Sequence, residues 1–171
     1  MGSEMCIRDS ISRFDTAVTA EVVRKGIASV RWPGRFQVLT TDGKTVVIDG
    51  AHNAAGAAAF AETYDEVFGN RRRIFVFAVL ADKEYGNMIN LLFRDGDSII
   101  CAPAPSPRTA DPKEIAALIG TRAETAPSPE AALEKALDMM APDDVCCVVG
   151  SLYMQEPVRR FLREHGGCTG I

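Results

Sequence analysis

Asp49-Gly50-Ala51-His52-Asn53 puts a carboxylate, an imidazole and a carboxamide within five residues, around a glycine that permits a tight turn. Asp49 can accept from sugar hydroxyls, and His52 can donate toward a phosphate. Asn53 can cap a following helix by accepting one of its orphan backbone N–H groups. The helix start then offers partial positive charge to an anion. A capped turn with an incidental histidine satisfies the same residues.

Other clusters share this mixed character. Lys83, in Ala81-Asp82-Lys83-Glu84, can bind a carboxylate or a phosphate; an exposed helix start explains the run equally. Gly150-Ser151-Leu152-Tyr153 offers small residues that let a ligand approach the backbone, or a helix capped by Ser151. Arg35, in Trp32-Pro33-Gly34-Arg35, can make forked contacts to phosphate oxygens or stand on a surface linker. Pro105-Ser106-Pro107-Arg108 is a rigid loop that lines a cleft or crosses the surface.

The elements that must hold these clusters alternate between two periods. Val46-Val47-Ile48 reads as a short buried strand ending at Asp49. Apolar runs at 74–80, 98–102 and 145–149 give three more, and 36–39 and 124–126 give two weaker ones. Between them, helical spacing joins Phe60, Tyr64, Val67 and Phe68, then Met88, Leu91 and Leu92. Ile115, Leu118 and Ile119 share a face, as do Leu133, Leu137 and Met140, and then Val158, Phe161 and Leu162. Asp111-Pro112 and Ser128-Pro129 mark helix starts, with proline at the first helical position. Continuous apolar strands separated by helices predict an α/β, Rossmann-like, three-layer domain. Its mostly parallel sheet has about six strands, with helices on both faces. In such sheets ligands gather at the carboxyl ends of strands, where the polar clusters fall.

Composition narrows the classes. The 171 residues carry 19 basic and 23 acidic side chains, a net charge of -4, which argues against a nucleic-acid partner. No apolar run approaches the roughly 18–20 residues that cross a bilayer, and residues 1–10 lack a secretory pattern. The expected location is the cytoplasm, with no membrane partner. Five cysteines, irregularly spaced and without a C-x-x-C pair, and only two histidines argue against zinc. Cys101, Cys146 and Cys147 lie in strand-like runs and read as small buried hydrophobes. There is no G-x-x-x-x-G-K-[ST] phosphate loop, no G-x-S-x-G elbow and no G-x-G-x-x-G.

Taken together and in order, the clusters at 32–35, 49–53, 82–84, 106–108 and 150–153 resemble the folylpolyglutamate synthase and dihydrofolate synthase family of the Mur ligase superfamily. The likeness covers roughly residues 20–163. Peptidoglycan ligases of that superfamily tend to have tyrosine where Gly50 stands, which favours folate chemistry. Ala54, Glu84 and Ala78 depart from the family's usual proline, aspartate and glycine.

The resemblance implies a Mur ligase C-terminal domain over 36–171. Residues 11–35 would be the end of a central ATPase domain with its linker, and 1–10 a non-native leader. It implies ATP-dependent ligation of L-glutamate to dihydropteroate or to the γ-carboxyl of folates through an acyl phosphate. Arg35, Asp49, His52 and Asn53 would meet the nucleotide, with Asp49 near the ribose. His52, Lys83 and Ser151 would serve the reaction, the last two near glutamate or the acyl phosphate. ATP and Mg2+ would be bound mainly by the N-terminal ATPase domain of the same protein, the whole being a monomer. The chain alone is then expected to be a fragment without activity, with no metal site of its own. A peptidoglycan-precursor ligase domain and a non-catalytic nucleotide-binding module are the alternatives.

Overall fold

The computed structural model describes residues 19–30, 32–165 and 169–170. The leader expected over residues 1–10 lies outside them. The chain divides into two compact units, 1–33 and 34–171. In the first, helix α1 (Ala20–Ser29) is capped by the Thr19 side chain, which accepts from the Val22 N–H at 3.2 Å.

The second unit is built on one sheet. Its strands are β1 (Gln37–Thr41), β2 (Lys44–Ile48), β3 (Arg73–Phe77), β4 (Ser98–Cys101), β5 (Ala123–Thr125), β6 (Val145–Val149) and β7 (Thr169–Gly170). Their order across the sheet is β5-β4-β3-β6-β2-β1-β7. The pairs among β5, β4, β3, β6 and β2 are all parallel. The α/β expectation holds, with one addition: the two-residue β7 makes seven strands among the described residues.

β1 runs antiparallel to β2 through a two-residue turn, with Thr41 opposite Lys44. Asp42 and Gly43 both take positive φ, 47° and 75°, as the tight hairpin turn that suits twisted strands requires.

Successive strand residues face opposite ways, which produces two cores. Val47, Phe75, Phe77, Ile99, Cys147 and Val149 pack under helices α2 (Ala54–Phe68), α3 (Tyr85–Leu92) and α4 (Pro112–Ile119). Val46, Ile48, Ile74, Val76, Cys146 and Val148 pack under α5 (Pro129–Met139) and α6 (Gln155–His165). The helix starts use the expected chemistry. Asp111 accepts from Lys113 N–H at 2.8 Å and Ser128 from Ala131 N–H at 3.2 Å, each followed by proline.

Three residues placed on buried helix faces point outward instead: Val67, Leu91 and Leu118. Each buried stripe follows i and i+4, as in Phe60–Tyr64, Met88–Leu92 and Ile115–Ile119. At about 100° per residue, i+3 lies on the far side of residue i from i+4, and a flat sheet does not reach it. In place of Leu91, α3 buries Ile89.

One ion pair is sealed in the interior. Arg73, at the start of β3, holds Asp97 in a fork of 2.9 and 2.6 Å and lies against the rings of Tyr64 and Phe75.

Candidate functional site

β2, β6, β3 and β4 are adjacent and parallel, so the loops that follow them emerge along one edge. Ladder-like bonds continue past the strands there: Asp49 N–H to Val148 O at 3.0 Å, and Ala102 N–H to Phe77 O at 3.0 Å. The sequence clusters at 49–53, 81–84, 105–108 and 150–153 therefore share the carboxyl edge of the sheet.

The β2–α2 loop is the most organised part of that edge. Both oxygens of Asp49 are engaged: Oδ1 accepts from Ala51 N–H at 2.7 Å, and Oδ2 accepts from Phe36 N–H at 2.6 Å. The second bond ties the loop to the turn that carries Arg35. Phe36 sits at φ 40°, a left-handed conformation that a bulky side chain seldom adopts. Its ring, 5.4 Å from Phe60 and 6.2 Å from Phe68, anchors it from the other side.

His52 Nδ1 lies 2.8 Å from the Gly50 carbonyl, which can only accept, so Nδ1 carries a proton. Its Nε2 is then a lone-pair acceptor in the neutral ring and a donor in the imidazolium form. Asn53 caps α2, its Oδ1 accepting from Gly56 N–H at 2.8 Å. Arg35, Phe36, Asp49, Ala51, Gly56 and Thr63 are among the residues lining a shallow hollow of about 250 Å³ beside that helix start.

The β6 loop closes on the same place. Gly150 takes φ 114°, and a Cβ there would lie 2.2 Å from the Ala78 carbonyl oxygen. Ser151 is buried and its Oγ accepts from Tyr153 N–H at 3.3 Å, which starts a 3-10 turn over Leu152–Met154. That turn leans on Gly50, where a Cβ would come within 2.2 Å of Leu152 Cδ2. Leu152 and Tyr153 are both about half exposed.

Lys83 belongs to a second group. It lies 4.0 Å from Asp82, which also pairs with Arg108 at 3.3 Å. The backbone joins these two loops as well: Ala81 N–H donates to Arg108 O at 2.8 Å, and Leu80 bridges Thr109. The 105–108 loop is thereby pinned to the loop after β3. Arg35, Asp49, His52, Asn53 and Ser151 thus gather around the β2 and β6 loops, while Lys83 stands with Asp82 and Arg108.

A larger hollow, about 380 Å³, opens at the opposite edge among residues 69–73 and 94–97. Three of its four arginines are ion-paired, Arg73 with Asp97, Arg94 with Asp65 and Arg72 with Asp144, and Arg71 donates to the Asp143 carbonyl. It is an ion-paired seam at the amino ends of the strands rather than a site facing the polar loops.

Sequence reasoning passed over Phe36, Gln37, Gln155 and Arg159, which hold the Arg35 turn. The Gln155 carboxamide donates to the Gly34 carbonyl at 3.0 Å, 121 positions away in the chain, and no local pattern marks such a contact.

The family model described as Mur ligase, glutamate ligase domain matches residues 34–152. A probable bifunctional folylpolyglutamate synthase/dihydropteroate synthase of Haloferax volcanii is 35% identical over 146 residues, 83% of this chain and 17% of that protein. A dihydrofolate synthase/folylpolyglutamate synthase of Bacillus subtilis is 30% identical over 148 residues, 85% of this chain and 34% of that protein. The solved structure of E. coli FolC in complex with DHPP and ADP superposes with a TM-score of 0.77 at 27% identity, covering 85% of this chain and 35% of that one. The chain thus spans between 17% and 34% of the length of these curated relatives.

Proposed function

The chain belongs to the Mur ligase family as a glutamate ligase domain, and on that premise we propose that it forms one wall of the active site of an ATP-dependent folate–glutamate ligase. The reaction is the joining of L-glutamate to dihydropteroate, or to the γ-carboxyl of a folate. MgATP, when bound, would supply its γ-phosphoryl group to the acceptor carboxylate: the carboxylate O–P bond forms, the bond between the β and γ phosphates breaks, ADP leaves and an acyl phosphate remains. The glutamate nitrogen attacks the acyl carbon, its proton leaves, and the C–O bond to phosphate breaks.

The observation that carries this reading is that Arg35 and Asp49 line one hollow beside the N-terminus of α2, with His52 in the same loop as Asp49. Their chemistry fits a nucleotide. Arg35 supplies a forked cation for phosphate oxygens, and the helix start supplies partial positive charge. Asp49 spends one lone pair of each oxygen on a backbone N–H and keeps others for ribose hydroxyls. His52, with Nδ1 held by Gly50, keeps its other ring nitrogen for the ligand, as a donor when protonated. Asn53 orders the helix start. Lys83 and Ser151 are assigned to the glutamate and acyl-phosphate side, Lys83 as a cation and Ser151 as the residue that sets the 3-10 turn. Magnesium would arrive with the nucleotide; among the described residues no three His, Cys, Asp or Glu side chains converge.

Phosphoryl transfer depends chiefly on positioning and charge stabilisation, and a closing domain supplies both while excluding water. An ATPase domain of the same protein would hold the phosphates, so the chain alone is expected to turn over nothing. Among the described residues no helix is long and apolar enough to cross a membrane; a monomeric cytoplasmic enzyme is the setting proposed.

The test is ADP release by the whole ligase with glutamate and either dihydropteroate, tetrahydrofolate or a muramyl acceptor. Turnover confined to pteroate or folate acceptors is expected. Turnover of the muramyl acceptor without folate, or turnover by the isolated chain, overturns the proposal.

A further inference from the structure

Two glycines that are far apart in the sequence meet on one side chain. A Cβ on Gly34 would lie 2.0 Å from the Gln155 Oε1, and a Cβ on Gly50 would lie 3.2 Å from its Nε2. Gln155 opens α6 and is half-buried. Its Nε2 donates to the Gly34 carbonyl at 3.0 Å, and the same carbonyl accepts the Gly50 N–H at 2.9 Å. One oxygen therefore joins the Arg35 turn, the 49–53 loop and α6.

One turn further along α6, Arg159 donates to Gln37 Oε1. That same oxygen accepts the Gly34 N–H at 3.2 Å. Gly34 is thus gripped at both its N–H and its C=O by side-chain amides tied to α6. The next N–H but one, that of Phe36, is held by Asp49. Arg35 stands between these fixed points, on a backbone with little room to rotate.

We infer that Gln155 is the positioning residue for Arg35, acting through the Gly34 carbonyl. The Gln155 carboxamide lies in the space that a Cβ on Gly34, at φ 77°, would take, and it borders the space beside Gly50. This inference rests on the reading that Arg35 meets the phosphates of the nucleotide. The direction of control is specific. Gln155 does not touch the ligand; it fixes where the guanidinium starts from, which preorganises a forked contact.

The experiment has two arms. In the 171-residue chain, amide hydrogen exchange is compared between the natural protein, Gln155→Leu and Gln155→Ala. Loss of the carboxamide donor is expected to speed exchange at Gly50 by roughly tenfold, with the melting midpoint nearly unchanged. Equal exchange in all folded variants overturns the inference. Should Gln155→Ala collapse the packing, Gln155→Leu, which keeps most of the side-chain volume without the donor, keeps the comparison.

In the whole ligase, Gln155→Leu is expected to raise the KM for ATP about fivefold when Arg35 is present, and to add nothing once Arg35→Ala has been made. An equal loss on both backgrounds overturns the inference. A neutral Arg35→Ala instead refutes the nucleotide reading of that arginine, and the exchange arm still judges the grip of Gln155 on the turn.

Discussion

Asp49 reaches back thirteen residues to hold the Phe36 N–H at 2.6 Å, so the residue with the most suggestive chemistry is also a structural clasp. Its other oxygen holds Ala51 N–H. Asp49→Ala leaves both donors without their acceptor and frees a left-handed Phe36. It is expected to cost about 1–3 kcal/mol. Urea denaturation checks this; an unchanged midpoint would mean that Phe36 is held by its ring contacts alone.

His52 makes the cleaner functional test. Its hydrogen bond stays within its own loop, to Gly50. In the whole ligase, His52→Ala is expected to lower turnover by about 10²-fold, the scale of losing one electrostatic donor. The melting midpoint should hold. Turnover within twofold of the natural enzyme would remove His52 from the reaction.

The two loop glycines should behave differently. Gly150→Ala drives a Cβ into the Ala78 carbonyl and the Phe77 ring at a φ of 114°, neither of which can step aside. A loss of roughly 2–4 kcal/mol is expected. Gly50→Ala meets mainly the tip of Leu152, an exposed and rotatable side chain. Its melt should shift little while ATP binding weakens, which calorimetry on the whole ligase can separate from unfolding.

The buried Arg73–Asp97 pair should be costly to break from one side. Asp97→Ala strands a guanidinium with 3% of its surface exposed, and about 3–5 kcal/mol is expected to be lost. Chemical denaturation measures it; a loss under 1 kcal/mol would imply that water enters the seam.

The thiols give a pH signature. Burial pushes Cys101 and Cys146 up to about 12, and burial raises Cys147 as well. Because the folded values lie above the ordinary thiol value of 9.0, their contribution is intact below that value. It is lost as the pH climbs from there toward the folded values, since the unfolded thiols release protons first. Stability should fall across this alkaline window, and peptide-mapped alkylation at pH 8 should spare all three. Rapid labelling of Cys146 in the folded chain would contradict its burial.

Much of this was legible in the residues because the rules involved are local. Val46-Val47-Ile48 ends at Asp49 as its β-branched run suggests, and Asn53, Asp111 and Ser128 cap as their positions suggest. The Asp42-Gly43 hairpin is equally local, since that dipeptide favours positive φ, yet the strand pattern alone gives a weak strand at 36–39 and a buried one at 46–48 without the turn that pairs them. Leu118 and Leu91 misled because an i+3 spacing looks like a helical face until the sheet beneath decides which side is covered. Gln155 and Arg159 had no local signal at all. Their partners lie 121 and 122 positions away and include a backbone carbonyl, which any sequence supplies. The pairing of Asp49 with Phe36 is hidden for a similar reason: a carboxylate's choice of a main-chain donor leaves no mark on the donor's identity.

The place of β6 in the strand order has a consequence for synthesis on the ribosome. β6 is the middle strand of the sheet, yet it spans Val145–Val149, late in the chain. β2 and β3 have no shared edge until it arrives, because each pairs with β6 and not with the other. A nascent chain halted before residue 145 holds a hairpin and a parallel patch with their apolar edges open to solvent, a species prone to self-association. Only the passage of β6 joins the halves, so the polar carboxyl edge of the sheet is assembled in a single late step.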